Sequence, residues 1–307
     1  MKHPSGRRAL LLVNRNARRG KEQISETLDQ LKSLGLELQE ESTEDPEQLS
    51  EIIRRHRDQV DLVIIGGGDG TLNAAIEGLV DTQLPLGILP LGTANDLART
   101  LGIPQNLSQA CQVIATGEVR GIDLGWVNGK YFFNVASFGL SVQITKRLTK
   151  EAKRRWGVFA YLATSLQVIW QARPFHAEIR IGDQSVQVKT VQIAVGNGRY
   201  YGGGMAVAKD ATIDDQNLDL YSLEIQSWWQ ILLVLPALWR GQQATWPGFR
   251  TLRSQEIEVH TRRPRSISTD GEITTQTPAT FRVVPQALFV LVSNTSDLSH
   301  RGDVGLS

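Results

Sequence analysis

The sequence predicts an α/β domain with a mostly parallel sheet, followed by a mainly antiparallel β domain carrying inserted helices. Three observations predict it. Up to residue 123, short and fully apolar runs alternate with amphipathic helical stretches, the pattern of a parallel sheet covered on both faces. Beyond that point strand-like stretches dominate, several alternating apolar with polar residues as antiparallel strands with one wet face do. All seven tryptophans (126, 156, 170, 228, 229, 239 and 246) also lie there. At 307 residues the chain can build two cores. Domains of residues 1–123 and 124–307 are expected, with the C-terminal tail packing back on the first.

Residues 9–13 (ALLLV) read as a first buried strand. Ile24, Leu28, Leu31 and Leu34 recur at helical spacing, which predicts a helix over 22–34. A strand around 36–38 and a helix over about 46–57 follow. VDLVII at 60–65 is a continuous apolar strand that runs straight into glycines. After it come a helix over 72–79, a strand at 86–89 and a short helix ending before Pro104. In the second part KYFFNVA, HAEIRIG, SVQVKTVQIAVGN, LDLYSLEI, EIEVHT, TFRVV and LFVLVSN read as strands. Helical stretches over about 141–171 and 227–241 interrupt them.

Composition excludes several classes. A net charge of +1 supplies no global field for nucleic acid. Cys111 is the one cysteine, so there is no disulfide framework and no thiolate metal cluster, as suits a reducing cytoplasm. The five histidines are scattered, without the close spacing of a zinc site. The N-terminal LLLV run is too short for a signal-peptide core. The apolar stretch 228–239 contains Gln230 and Pro236 and falls short of the roughly 20 residues a bilayer span needs. A cytoplasmic chain, at most peripheral on the inner face of the membrane, is expected.

The strongest local feature is VDLVIIGGGDGTLNAAIEGL. A buried strand empties into Gly66, Gly67, Gly68, Asp69, Gly70 and Thr71, and a helix begins at once. Glycines permit positive φ and close backbone approach, so N–H groups converge on an anion, and the helix N-terminus adds its own donors. The loop lacks the Lys-Ser/Thr ending of a P-loop, and Thr71 stands where a dinucleotide fingerprint has its third glycine. An ordinary glycine-rich turn is the plainer reading. Asp69 argues against it, because a carboxylate in a phosphate nest is repulsive unless a cation sits there too; a nucleotide with bound magnesium removes that conflict. LGILPLGTANDLARTLGIP repeats the design: strand, glycine turn, then Thr93, Asn95 and Asp96 before a short helix. Thr93 or Asn95 as a simple helix cap is an equally good reading. Two such loops at consecutive strand ends favour a shared ligand crevice.

GGGDGTLN (66–73) and LPLGTANDLART (89–100) together resemble the diacylglycerol kinase catalytic domain of the bacterial soluble lipid kinases, relatives of sphingosine kinases and, more distantly, of NAD kinases and phosphofructokinases. The resemblance continues through GIDLG (121–125), FFNVASFGL (132–140), VGNGRYYGGGMAVAKDATIDDQNLDL (195–220) and STDGEI (268–273), six segments in family order over about residues 9–292. It implies a β-sandwich for the second domain and a nucleotide site in the cleft between domains. It implies ATP contacts at Asn14, Thr43, Gly67, Gly68, Asp69, Gly70, Thr71, Leu72, Asn73 and Thr93, with Asp69 close to the phosphates and Mg2+. The alternative for Thr43 is a cap of the helix at Pro46. The family's structural magnesium, bound by two carbonyls and a carboxylate, would correspond to Thr212, Asp215 and Asn217, with Asp123 behind it, linking the ion toward Asp69. Gln216 departs from the family, which has glycine there in a turn of positive φ; Asn217 is the residue expected to take that conformation instead. Glu272 in the DGE motif matches the general base.

The implied reaction is ATP- and magnesium-dependent phosphoryl transfer to a hydroxyl of a diacylglycerol- or phosphatidylglycerol-type lipid. Such transfer needs charge neutralisation at the phosphates and a carboxylate to accept the hydroxyl proton. Oxygen ligands without histidine or cysteine suit a hard cation. Lys146, Arg147, Lys150, Lys153, Arg154 and Arg155, followed by Trp156, Phe159 and Tyr161, have the composition an anionic bilayer surface attracts. A solvated helix face followed by core aromatics is the plainer alternative. Trp228, Trp229 and Trp239 fit either core packing or an acyl-chain cleft. A homodimer is compatible with all of this. The competing functions are an NAD kinase-like enzyme with a soluble substrate and a nucleotide-binding regulator without turnover.

Overall fold

Three apolar runs and the mostly polar LELQEE become the four parallel strands of the first of two units. The computed structural model describes residues 6–13, 21–41, 45–147, 173–198, 200–201, 205–206, 212–225 and 248–294. One unit comprises the chain up to Ile122 with the residues from Pro285 on, and the other Asp123–Val284.

The first unit contains β1 (Arg7–Val13), α1 (Lys21–Ser33), β2 (Leu36–Glu41), α2 (Leu49–Arg55), β3 (Leu62–Gly67), α3 (Asp69–Thr82) and β4 (Leu86–Pro90). Then follow α4 (Asp96–Thr100), α5 (Leu107–Thr116) and the start of β5 (Glu118–Val127). The sheet order is β2-β1-β3-β4, all parallel. Leu10, Leu62, Val63, Ile64 and Ile65 are fully buried, as strands covered on both faces require. Helix α2 is preceded by a short 3₁₀ turn at Pro46–Gln48, whose cap is Asp45: its Oδ1 accepts the Glu47 N–H at 3.0 Å. Helix α5 was not expected from the pattern, although Asn106 caps it and Ala110, Cys111 and Ile114 bury at helical spacing.

The second unit takes up the rest of β5, then β6 (Lys130–Phe132), β7 (Val135–Gly139), α6 (Leu140–Arg147), β8 (Phe175–Ile181), β9 (Gln184–Thr190) and β10 (Gln192–Gly196). After a short pair, β11 (Tyr200–Tyr201) and β12 (Met205–Ala206), come β13 (Leu218–Leu223), β14 (Phe249–Ser254) and β15 (Glu256–Thr261). Strands β16 (Ser266–Thr269), β17 (Glu272–Gln276) and β18 (Ala279–Val292) complete it, the last crossing into the first unit at Pro285. One antiparallel sheet runs β14-β13-β10-β7-β16-β17. The other places β15 between the first part of β18 and β8, with β9 at its edge. Phe138, Ile193, Val195, Leu218 and Ile267 of the first meet Ala177, Ile179, Val188, Val259 and Phe281 of the second in one buried cluster, so the unit is a β-sandwich.

Four expected strands differ. SVQVKTVQIAVGN is two strands, since the chain leaves one sheet after Thr190 and enters the other at Gln192. KYFFNVA is likewise divided between β6 and β7. TFRVV and LFVLVSN are one strand, β18, which passes through Pro285 with Gln286 at φ +46°. In the helical stretch 141–171 the described part is α6; the rest, and 227–241, lie outside the described residues. Among the described residues no helix is long and apolar enough to cross a membrane.

Candidate active site and its supporting loops

In the first unit the two glycine loops leave the carboxyl ends of neighbouring strands, with Gly67 opposite Pro90. Strand β1 ends beside them, Val13 opposite Gly66. The connection after β1 runs to β2 on one side and that after β3 runs to β4 on the other, so the switch point lies between β1 and β3. Open α/β sheets bind ligands outside the carboxyl ends of their strands at such a switch point. A Cβ on Gly68 would lie 3.0 Å from the Cα of Gly92, and one on Gly92 would collide with the Gly68 backbone. A Cβ on Gly67 would lie 2.6 Å from the Thr71 hydroxyl. None of Gly66, Gly67, Gly68 and Gly92 has positive φ. Close packing, of backbone on backbone at Gly68 and Gly92 and against the Thr71 side chain at Gly67, is what requires glycine in these loops, not left-handed conformation.

Gly68 is the N-cap of α3, and its carbonyl accepts the N–H groups of Thr71 at 3.0 Å and Leu72 at 3.1 Å. The N–H groups of Asp69 and Gly70 belong to the open first turn, where Gly70 is exposed and Asp69 half-buried. Asp69 reaches across to the second loop: its Oδ1 accepts the Leu97 N–H of α4 at 3.1 Å. Helix α4 is thus capped from the neighbouring loop, and neither Thr93 nor Asn95 does it. Asn95 sits in the left-handed region at φ +51° and fastens its own turn. Its Oδ1 accepts the Gly92 N–H at 2.9 Å, and its Nδ2 donates to the Gly92 carbonyl at 3.2 Å and to Gln105 Oε1 at 2.9 Å. Thr93 is exposed and Asn73 half-buried near the same strand ends. Asn14 and Thr43 lie outside the described residues.

The residues suit a magnesium nucleotide. Magnesium is usually held by one or two carboxylates plus substrate phosphates, and Asp69 is a carboxylate beside the open first turn of a 14-residue helix.

In the second unit Asp270 and Gly271 form the turn of the β16–β17 hairpin, with φ +46° and +94° and Thr269 paired to Glu272. Two successive left-handed residues make the turn that follows the natural twist of a hairpin. The Asp270 carboxylate accepts three backbone N–H groups: Phe133 at 2.7 Å, Asn134 at 3.0 Å and Val135 at 3.0 Å. Asn197, buried, braces the same loop by donating from Nδ2 to the carbonyls of Phe133 at 2.8 Å and Asp123 at 2.9 Å. Glu272, the first residue of edge strand β17, is exposed. The three-fold anchoring of Asp270 was missed from sequence; its one local sign is the Asp-Gly pair of a hairpin turn.

The loop 212–217 is built differently from the expectation. Gln216 itself takes the left-handed conformation, at φ +57°, and Asn217 does not. Buried Asp123 stabilises that turn, its Oδ2 accepting the Gln216 N–H at 2.7 Å. Asp215 Oδ1 accepts the Asn217 N–H at 2.9 Å, and Oδ2 faces the Thr212 N–H at 3.5 Å. Arg253 forms an ion pair with Asp215 Oδ2. The residues present therefore do not fit a structural magnesium here: both oxygens of the one carboxylate among Thr212, Asp215 and Asn217 already face donors. No group of three or more metal-binding side chains occurs among the described residues.

Residues 8–127 match the diacylglycerol kinase catalytic domain, and residues 134–292 match the YegS C-terminal NAD kinase beta sandwich-like domain. Proteins named "Putative lipid kinase" in Staphylococcus aureus strains JH9 and Newman are 28% identical over 289 residues, covering 91% of this chain and 93% of theirs. A Bacillus anthracis (strain Sterne) crystal structure described as a "putative diacylglycerol kinase" is similar with a TM-score of 0.79 and 25% identity, over 94% of this chain and 96% of that one. A second structure from the same strain shares the fold with a TM-score of 0.77 at 24% identity, over 94% of this chain and 98% of its own.

Proposed function

The chain belongs to the lipid kinase family defined by these two domains, and we propose that it transfers the γ-phosphoryl group of ATP to a hydroxyl of a diacylglycerol- or phosphatidylglycerol-type lipid. The observation that carries this reading is the seating of Gly68 against Gly92, bridged by Asp69 to Leu97. Two loops held that tightly at a switch point give a rigid rim for phosphate groups, which supports nucleotide binding.

The first-turn N–H groups of α3 bind phosphate oxygens, and Gly67 to Asn73 with Thr93 surround the nucleotide. Asp69 would hold the magnesium ion that neutralises charge on the transferring phosphoryl group. Glu272 takes the proton from the lipid hydroxyl, and Asp270 fixes the turn that presents it. The basic segment around Lys150, Lys153, Arg154 and Arg155 brings the enzyme to an anionic membrane surface, an attraction that salt screens over about 8 Å at physiological ionic strength. Incubation with labelled ATP and detergent-dispersed diacylglycerol, phosphatidylglycerol or a sphingoid base, with NAD in parallel, tests the reading. Labelled lipid is expected; label on NAD alone, or on nothing, would overturn it.

A further inference from the structure

We propose that the guanidinium of Arg253 does, in this chain, the structural work of a divalent cation at the 212–217 loop, so that the β-sandwich holds its shape without magnesium. This goes beyond the proposed reaction and does not depend on it.

The placement of Arg253 follows from the sheet. It lies on β14 directly opposite Asp219 of β13 in the antiparallel ladder, and its Nε is 3.8 Å from Asp219 Oδ1. From that fixed base Nη2 reaches Asp215 Oδ2, one turn of loop away. One cation therefore joins the loop's carboxylate to the strand that follows the loop. A guanidinium is always charged and offers several donors in a rigid plane, so it can engage two carboxylates at once.

The remaining contacts of Asp215 agree. Its Oδ1 accepts the Asn217 N–H at 2.9 Å, and the Asn217 side chain donates back to the Asp215 carbonyl at 2.7 Å. That carbonyl and that carboxylate oxygen are thus turned toward hydrogen-bond donors. Magnesium demands near-octahedral oxygen ligands at about 2.0–2.1 Å and dehydrates reluctantly. To take the Asp215 carboxylate, it would have to displace Arg253 or the Asn217 N–H. The left-handed Gln216, anchored through its N–H to buried Asp123, closes the turn without an ion.

The experiment is thermal melting of the full chain, without nucleotide, in EDTA and in excess magnesium chloride at matched ionic strength. The wild type is expected to melt at the same temperature in both. Arg253→Gln should melt several degrees lower in EDTA, and Arg253→Lys, which keeps the charge but not the fork, should fall between them. Arg120→Gln, which breaks an exposed ion pair with Glu118, serves as the control and should melt as wild type. A wild-type melting temperature that drops in EDTA and recovers with magnesium overturns the proposal, as does an Arg253→Gln variant as stable as the wild type. Should Arg253→Gln fail to fold, the wild-type comparison decides alone.

Discussion

Asp270 and Val135 bind each other in both directions: the Asp270 N–H donates to the Val135 carbonyl at 2.9 Å, and the Val135 N–H donates to Asp270 Oδ1 at 3.0 Å. With Phe133 and Asn134 also donating to the carboxylate, this aspartate is committed to the backbone and is not a reserve base for proton transfer. Its removal strands N–H groups in a buried stretch, at about 1–3 kcal/mol for each donor left without a partner. Asp270→Ala is therefore expected to lower the melting temperature markedly and to reduce phosphate transfer through loss of the turn. A variant that loses activity at unchanged melting temperature would contradict the anchoring role.

The observed cap that Asp69 gives α4 and the magnesium role proposed for it can be separated by substitution. Asn caps a helix as well as Asp does, whereas Ala at a cap costs about 0.5–2 kcal/mol. Asp69→Asn should keep the bond to the Leu97 N–H and the wild-type melting temperature, yet lose ATP turnover with the carboxylate charge. Asp69→Ala should lose turnover and stability together. Near-normal turnover in Asp69→Asn would remove Asp69 from the magnesium site.

The strand-glycine-helix units were legible because their signals are local: an apolar run, a glycine turn and a helical period lie within some twenty residues of one another. What ties them together was not. The cap from Asp69 to Leu97 spans 28 residues, and the Arg253–Asp215 pair spans 38. Nothing around Arg253 in the sequence marks it apart from the other arginines, since its meaning comes from lying opposite Asp219 in a ladder. The left-handed turn was expected one residue too late, at Asn217, because a glutamine rarely adopts φ near +57° without tertiary support such as Asp123 provides at Gln216. The break at Val191 does leave a local sign: the alternating apolar positions shift from Val186 and Val188 to Val191, Ile193 and Val195, where the chain passes from one sheet to the other.

The Gly68–Gly92 contact makes its own forecast. A methyl group on residue 92 meets the Gly68 backbone, and overpacking of this kind costs about 1–3 kcal/mol because backbone must move. Gly92→Ala should separate the two loops and weaken ATP binding by about tenfold or more, the equivalent of 1.4 kcal/mol or above. Equilibrium dialysis with labelled nucleotide measures it. Wild-type affinity in this variant would show that the rim is not part of the nucleotide site.

Cys111 offers a check on the packing of the first unit. Its side chain is fully buried on α5, and burial pushes the thiol up to about 11. The folded state thus holds the proton more tightly than the unfolded chain, whose thiol has the ordinary value of 9.0. This contribution to stability is complete below the unfolded value and declines as pH rises from there toward about 11. Alkylating reagents need the thiolate, so Cys111 should resist them in the native protein at pH 8 and react on unfolding. Rapid native labelling, read by mass spectrometry, would contradict the burial of α5 against α1.

The sharpest expectation concerns Glu272. An alcohol is a poor nucleophile at neutral pH, and a positioned carboxylate typically contributes about 10²–10⁴-fold by accepting its proton. Glu272, the base proposed above, is accessible in this structure. It is exposed, it begins an edge strand, and the turn before it is set by two left-handed residues and an anchored carboxylate. A solvated glutamate beside a glycine turn is the ordinary alternative, and substitution distinguishes the two. Glu272→Gln keeps the size and hydrogen-bonding capacity of the side chain but removes the basic oxygen. Because no described hydrogen bond or ion pair of the hairpin uses the Glu272 side chain, the variant should melt as wild type does. It should also bind ATP normally and lose lipid phosphorylation by a factor within the range for a general base. The contrast with Asp270→Ala is what identifies the base: transfer lost at constant stability in one, transfer and stability lost together in the other. Turnover close to wild type in Glu272→Gln, with a lipid that the wild type phosphorylates well, would show that the proton goes elsewhere.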